Sequence, residues 1–348
     1  MIRIDGATKA GSGTILRLAV ALSTLLGDEL HIWNIRARRD KPGLRPQHLQ
    51  VLLACAQMCD GTADGAEVGS KEIVYRPGKR IRGDVYRWDI GTAGSTTMLA
   101  TALLLVACFA DRPSALEMSG GLFQDFAPSA HHMQYVLLPT LAKMGVNASI
   151  EIKRPGYVPK GNGLIVMKVE PVTRISPLAL TEQGQVSRIA GISLSSHLNK
   201  EKVSQRMATE CQRRLAAKHY ESNIELLHDS QASQKGAALS VWAETHTGCL
   251  IGADRAGRPG RSSEEIGRFV AQHLLEDLNT GATVDRHLAD QLIPYCALAH
   301  GTSRYIIPQN TEHVETNLWL VREITGARAE LDGKCILIDG IGYQRRGS

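Results

Sequence analysis

A histidine recurs three times in this chain with the same punctuation behind it. His48, His132 and His313 each lie at the start of an apolar-periodic stretch, and each is followed thirteen residues later by a glycine: Gly61, Gly145 and Gly326. Thirteen residues is about one medium helix from its first turn to its stop, and glycine commonly supplies the left-handed residue that ends a helix. A spacing reused at three distant places implies that the chain builds one supersecondary unit three times.

The flanking pattern agrees. A second apolar helix is expected ahead of each histidine helix, at 14–26, 96–109 and 287–299. Between the helices of each pair lies a short β-rich stretch, at 31–35, 115–118 and 303–307. Further strand-like runs follow at 72–75, at 148–153 with 164–169, and at 328–331 with 335–338. The unit therefore reads as helix, strand, helix, strand, strand, and the fold class as mixed α/β (α+β). Alternating helices and strands are common to α/β proteins, so the histidine–glycine register carries the case for repetition.

At 348 residues, 43% of them hydrophobic and 22% charged, the chain is long enough for a substantial core and for more than one domain. Residues 1–5 lack the basic-then-apolar pattern of a secretory leader, and the apolar run 98–110 is too short to span a bilayer. It reads as a buried helix. Seven cysteines without C-x-x-C spacing suit reduced core thiols rather than a zinc site or a disulfide framework. A cytoplasmic protein is expected; a nuclear location would suit the same composition in a eukaryotic source. The sequence leaves the oligomeric state open, a dimer being one option.

The net charge of +5 is modest but unevenly spread. Arg36, Arg38, Arg39, Lys41 and Arg45 fall within ten residues, offset only by Asp40 and interrupted by Pro42 and Gly43. A basic loop just before a helix start suits phosphate oxygens, because guanidinium offers paired donors and keeps its charge. A solvated loop is the plainer alternative. Gly11 and Gly13 lead into the first helix with Arg17 one turn inside it, and Gly91 to Ser95 repeat the arrangement. Free N–H groups at such a helix start favour an anion, and glycine permits close approach. Neither stretch is a Walker loop or a dinucleotide fingerprint.

The third repeat carries the most reactive set: Asp285 to Leu292 open one helix and Thr311-Glu312-His313 the next. A histidine at a helix start sits in a positive field that favours its neutral, nucleophilic form, and Asp290 could orient one ring nitrogen. A capping or surface role for His313 is the alternative.

These residues resemble a known family. The stretches 5–17 and 35–49, with its string Lys-Pro-Gly-Leu-Arg-Pro-Gln-His-Leu, together with Thr92-Ala93-Gly94-Ser95, Tyr157-Val158-Pro159-Lys160-Gly161 and His287-Leu288-Ala289-Asp290-Gln291-Leu292, resemble the RNA 3'-terminal phosphate cyclases in the family's order. The resemblance implies three βαβαββ-type units forming a large domain, 1–183 and 276–348, as in enolpyruvyl transferases. A small α/β domain, 184–275, would be inserted before the third unit, with 230–235 as a loop inside it.

The resemblance also implies the chemistry. ATP would adenylylate His313, and AMP would pass to an RNA 3'-phosphate end, which closes to a 2',3'-cyclic phosphodiester. Asp290 would act beside the nucleophile. Arg17, Arg39 and Gln47 match phosphate-site positions, with Arg36, Lys41 and His48 grouped beside them. His287, Gln291, Gly11, Gly13 and Pro128 would hold the nucleotide, and Mg²⁺ or Mn²⁺ would assist.

The sequence departs from the family at telling places. The family's metal-binding glutamate is Ala10, an expected glutamine is Thr101, and a glycine in the basic loop is Arg38. Gly161-Asn162-Gly163 and Gly120-Gly121-Leu122 stand in place of two glycine-rich motifs. Any metal ion would then arrive with ATP, and Lys9 or Arg38 could take part of its electrostatic role. Alternatives are the same adenylylation with a different acceptor, a non-catalytic RNA-end-binding protein like the ribosome-biogenesis branch, or an enolpyruvyl-type transferase. With only four Phe and four Trp, the chain offers no broad stacking surface for RNA beyond its end.

Overall fold

The computed structural model describes residues 1–345. The first sheet is built from β1 (Ile2–Asp5), β2 (Leu30–Trp33), β3 (Thr62–Asp64) and β4 (Ile73–Arg76), in the order β1-β2-β4-β3. Its helices are α1 (Gly13–Leu26) and α2 (Pro46–Cys59). The second contains β5 (Val85–Asp89), β6 (Ser114–Gly120), β7 (Asn147–Arg154) and β8 (Gly163–Glu170), in the order β5-β6-β8-β7. With it come α3 (Thr96–Ala107) and a divided helix: α4 (Ala130–His132), a π-turn over Met133–Leu137, and α5 (Leu138–Ala142).

The third sheet begins with β9 (Ala179–Leu180), after which the chain leaves it. The excursion comprises β10 (Val186–Ser196), α6 (Val203–Ala216), β11 (Asn223–Asp229), β12 (Gly236–Thr245), β13 (Leu250–Ala256) and α7 (Ser263–Asn279), with sheet order β11-β10-β12-β13. The chain returns through α8 (Leu288–Gln291), α9 (Ile293–Leu298), β14 (Thr302–Ile306), α10 (Glu312–Thr325), β15 (Arg328–Asp332) and β16 (Cys335–Asp339). Their order is β15-β16-β14-β9.

Outside the excursion, the three sheets share one pairing scheme. The first strand runs parallel to the second, and the other two pair antiparallel. The first helices α1 and α3 are apolar on almost every side and lie in the shared core, as all-round hydrophobic helices must. The excursion has a core of its own, in which Met207, Cys211 and Leu215 of α6 and Val270 and Leu274 of α7 cover Leu239, Val241 and Ile251. Its last helix continues to Asn279, past the expected boundary at 275.

Several expected elements are shifted for identifiable reasons. The opening strands β1, β5 and β9, and the three-residue β3, are too short to give a periodic signal. Helix α2 stops at Asp60, whose φ of 54° puts it in the left-handed region, so Gly61 is not its terminating residue. Gly326 does terminate α10, with φ 74°. The helix expected over 96–109 ends at Ala107. That expected over 287–299 divides at Leu292, because Pro294 has no N–H for the carbonyl of Asp290. Pro139 follows the π-turn in the same way. All seven cysteines are free thiols, six of them buried. No helix of the described residues is long and apolar enough to cross a membrane.

One buried carboxylate joins the parts. Asp285 Oδ2 accepts from His132 Nε2 at 3.0 Å and from the Gly252 N–H at 2.9 Å, while Oδ1 accepts from the N–H groups of His287 and Leu288 at 2.7 and 2.9 Å. Burial works to raise its pKa, but the adjoining His132, then His287 and the backbone donors, hold it at about 2. Burial opposes a charge on His132 too, yet Asp285 raises that pKa. Gly252 lacks a Cβ where one would lie 2.9 Å from His132 Cδ2. Asp285→Ala should lower unfolding free energy by about 3–5 kcal/mol, since it removes the buried acceptor of the His132 ring and of three backbone N–H groups. Denaturant unfolding that moves by less than about 1 kcal/mol would refute this role.

Candidate functional site

A cleft of about 370 Å³ opens between α1, α3, the α8–α9 break and the start of α10. Arg17, Pro128, His287, Asp290, Gln291 and His313 line it. Arg39, Gln47, Arg36, Lys41, His48, Gly11 and Gly13 do not; of these, His48 lies 3.3 Å from Arg17, and the charge of Arg39 acts on His313. Thr101 also lines the cleft, its hydroxyl donating to the Thr97 carbonyl at 2.8 Å.

The three histidines do not occupy identical positions. His48 and His132 are third in their helices, after the caps Arg45 and Ser129, whereas His313 is second, after Thr311. The Thr311 side chain accepts the Val314 N–H at 3.2 Å, so His313 has no capping duty. His313 is exposed at the cleft mouth, with Nδ1 3.5 Å from Thr14 Oγ1. The contact expected from Asp290 is thus made by Thr14, and the charges acting on the ring are Arg17, Arg39 and Glu312. Partial desolvation first, then Arg17 and Arg39, lower the pKa of His313 below its ordinary 6.5. With Nδ1 turned to Thr14, Nε2 is the ring nitrogen outside that contact.

Arg17 stands beside it. Its Nη2 donates to Thr14 Oγ1 at 3.1 Å and its Nη1 lies 3.3 Å from His48 Nε2. Burial, partly offset by Asp290, lowers its pKa to about 10, which leaves it charged at neutral pH. His48 is only 3% exposed, and burial followed by Arg17, Arg36 and Arg45 depresses its pKa to about 2. Its Nδ1 also lies 3.3 Å from the Arg45 N–H. A neutral imidazole has one acceptor nitrogen, so it cannot satisfy both neighbours.

The basic loop is partly self-supporting. Arg36 Nη1 donates to the carbonyls of Lys41 and Gly43 at 2.6 and 3.0 Å, and Arg38 Nη1 to that of Lys9 at 2.6 Å. The side chains of Arg39 and Lys41 are exposed. Gln47 Oε1 accepts the Ser95 N–H at 2.6 Å, tying this loop to the start of α3. Gly11 and Gly13 are needed for the protein's own packing: a Cβ would lie 2.7 Å from Arg38 Cγ at the first and 2.0 Å from His48 Nε2 at the second.

The opposite wall depends on Asp290, half-buried, whose pKa desolvation raises to about 6 against the pull of His287 and Arg17. Asn317, which sequence reading missed, donates from Nδ2 to the Asp290 carbonyl at 2.9 Å, the group that Pro294 leaves unpaired. Its only signal was its place one turn after His313. Also missed were Asp125, held by Arg261 at 2.7 and 2.8 Å, and Phe126, 98% exposed at the rim. Both line the cleft. Toward the apolar end the lining is Leu18, Ala21, Met98, Ala102, Leu105 and Pro294.

The described residues contain no group of three His, Cys, Asp or Glu able to hold a metal ion. The Ala10 N–H instead donates to Thr316 Oγ1 at 3.2 Å. An NMR titration should find His313 protonating below pH 6.5; a midpoint at or above that value would contradict the cationic, partly desolvated setting.

Comparison with known proteins places the site in context. The family model for RNA 3'-terminal phosphate cyclase matches residues 8–331. An RNA 3'-terminal phosphate cyclase of Thermococcus onnurineus is 39% identical over 335 residues, 96% of either chain. That of Methanopyrus kandleri is 36% identical over 340 residues, also 96% of each, and that of Pyrobaculum neutrophilum 34% over 346 residues, 98% of this chain and 99% of the relative. With such matches running almost end to end, the chain belongs to the RNA 3'-terminal phosphate cyclase family.

Proposed function

We propose that this chain converts the 3'-terminal phosphate of RNA into a 2',3'-cyclic phosphodiester, using ATP and a covalent histidine–AMP intermediate on His313. The observation that carries the reading is the placing of His313: open to the cleft, its Nδ1 turned to Thr14, beside the half-buried Arg17. The cleft passes from these groups to an apolar slot suited to a base.

In the proposed sequence Nε2 bonds to the α-phosphorus as the bond to the β-phosphate oxygen breaks, and pyrophosphate leaves. An oxygen of the RNA phosphate then attacks the same phosphorus, freeing the imidazole and giving an RNA phosphate bonded to AMP. The neighbouring 2'-hydroxyl attacks the terminal phosphorus, loses its proton to solvent and expels AMP. Adenylylation supplies the leaving group that a bare phosphate lacks. Arg17, flanked by Arg39, would stabilise charge on the transferring phosphoryl oxygens. Asp290, with a pKa near 6, sets the wall next to the nucleotide. With Ala10 where a carboxylate was expected and no metal cluster among the described residues, the side chains do not fit a resident divalent ion. No step is assigned to one.

The shared pairing scheme of three sheets supports their reading as three copies of a βαβαββ unit in one large domain. The separate core of 186–279 supports an inserted domain, running from about residue 184 through the end of α7. ATP and an RNA 3'-phosphate end are the proposed ligands, and the cytoplasm the proposed location.

Incubation with α-labelled ATP, with EDTA or with Mg²⁺ or Mn²⁺, should leave acid-labile label on the protein and none on His313→Ala. Absence of label under every condition would sink the enzyme reading and favour an RNA-binding role. Label that never converts a 3'-phosphorylated oligonucleotide to a phosphatase-resistant end would redirect the search to another acceptor. Arg39→Ala should depress cyclisation at least tenfold more than adduct formation; equal losses would remove Arg39 from the acceptor site.

A further inference from the structure

Asn317 presents an acceptor that nothing among the described residues satisfies. The side chain is 6% exposed and lines the cleft, yet its Oδ1 is buried with no hydrogen-bond partner. The usual ambiguity of an amide is absent here. Nδ2 is committed to the Asp290 carbonyl at 2.9 Å, which can only accept, so Oδ1 must be the atom turned the other way. Leaving such a group unpaired is destabilising, and a ligand donor entering the cleft would recover the loss.

The donor's chemistry follows from the composition of the cleft. Nucleotide phosphates carry acceptors and no donors at neutral pH, so they belong with Arg17 and the basic loop. The donors of ATP are its two ribose hydroxyls and the amino group of its base. Asn317 is four residues after His313 on α10, which separates their Cβ atoms by only about 5–6 Å. A ribose hydroxyl is one sugar ring from the α-phosphorus, whereas the amino group lies at the far edge of the base. The apolar groups suited to that base come from elsewhere: Leu18 and Ala21, Met98 and Leu105, and Pro294.

We propose that Asn317 Oδ1 accepts a hydrogen bond from a ribose hydroxyl of the nucleotide, so that this site selects ribonucleotides over a deoxy analogue. The proposal rests on the nucleotide reading above. It gives Pro294 an indirect part, because the carbonyl it leaves unpaired is what orients Asn317.

The test compares ATP, 2'-deoxy-ATP and 3'-deoxy-ATP by equilibrium dialysis and by adduct formation, in the wild type and in Asn317→Leu. The wild type should bind one deoxy analogue about tenfold more weakly than ATP, a loss of about 1.4 kcal/mol. Asn317→Leu should weaken ATP binding while bringing all three nucleotides within about twofold. Because the wild-type arm alters only the ligand, an unfolded variant cannot imitate the result. Equal binding of all three by the wild type, or unchanged discrimination in a folded Asn317→Leu, would overturn the proposal. Selective binding without an adduct would uphold the sugar contact while defeating the adenylylation chemistry; failure to bind ATP at all would end both.

Discussion

The Asp285 carboxylate is the constraint on which the rest of the architecture turns. It is fully buried, and it is bonded to a side chain from the second helix pair, a backbone N–H from β13, and the first turn of the segment that carries His287, Asp290 and Gln291. Removing an ion of this kind from water is justified only by a complete set of partners, and here two are local, from His287 and Leu288, while His132 and Gly252 come from parts of the chain remote in sequence. Its geometry therefore fixes where the cleft wall begins. The adjoining pair, Asp254 accepting from the Ser129 N–H at 2.7 Å, holds the start of α4 against the same strand.

The three histidines share a helix start but have parted in task through a single residue of register and through what surrounds them. His48 is kept neutral by burial and three arginines; its ring packs over Gly13, where a methyl group could not fit. His132 is driven the other way by Asp285 and becomes a strut. His313, one position nearer its cap, is exposed and unencumbered. Similar elements thus produce a neutral packing group beside Arg17, a buried strut and a candidate nucleophile.

What the sequence made legible follows from signal length. Helices α1, α3 and α10 and strands β6, β7 and β8 are long enough for periodicity to show, and their observed bounds lie within about two residues of expectation. The basic loop, His313, His287 and Gln291 could be named from motif alone, and the last three line one cleft. Other features depended on three-dimensional company. Nothing local marks Asp285 as the partner of His132, or Thr14 as the residue that faces His313. Asn317 acquires its orientation from a carbonyl that Pro294, on another helix, fails to satisfy. The glycines before α1 were read as making room for phosphate, whereas the space beside them is filled by Arg38 and His48.

The third sheet has a consequence for the order of assembly. Leu178, next to β9, donates to Ser303 Oγ in β14 across 125 residues of chain, and β9 itself pairs in parallel with β14. A closure of that length is entropically slow when the intervening chain is loose, and the self-contained core of the excursion shortens it by bringing its own ends together first. As the chain emerges during synthesis, the first two sheets can form while β9 waits, without a neighbour, for the last quarter of the sequence. The helix bearing His313 comes later still, so incomplete chains never present the finished cleft.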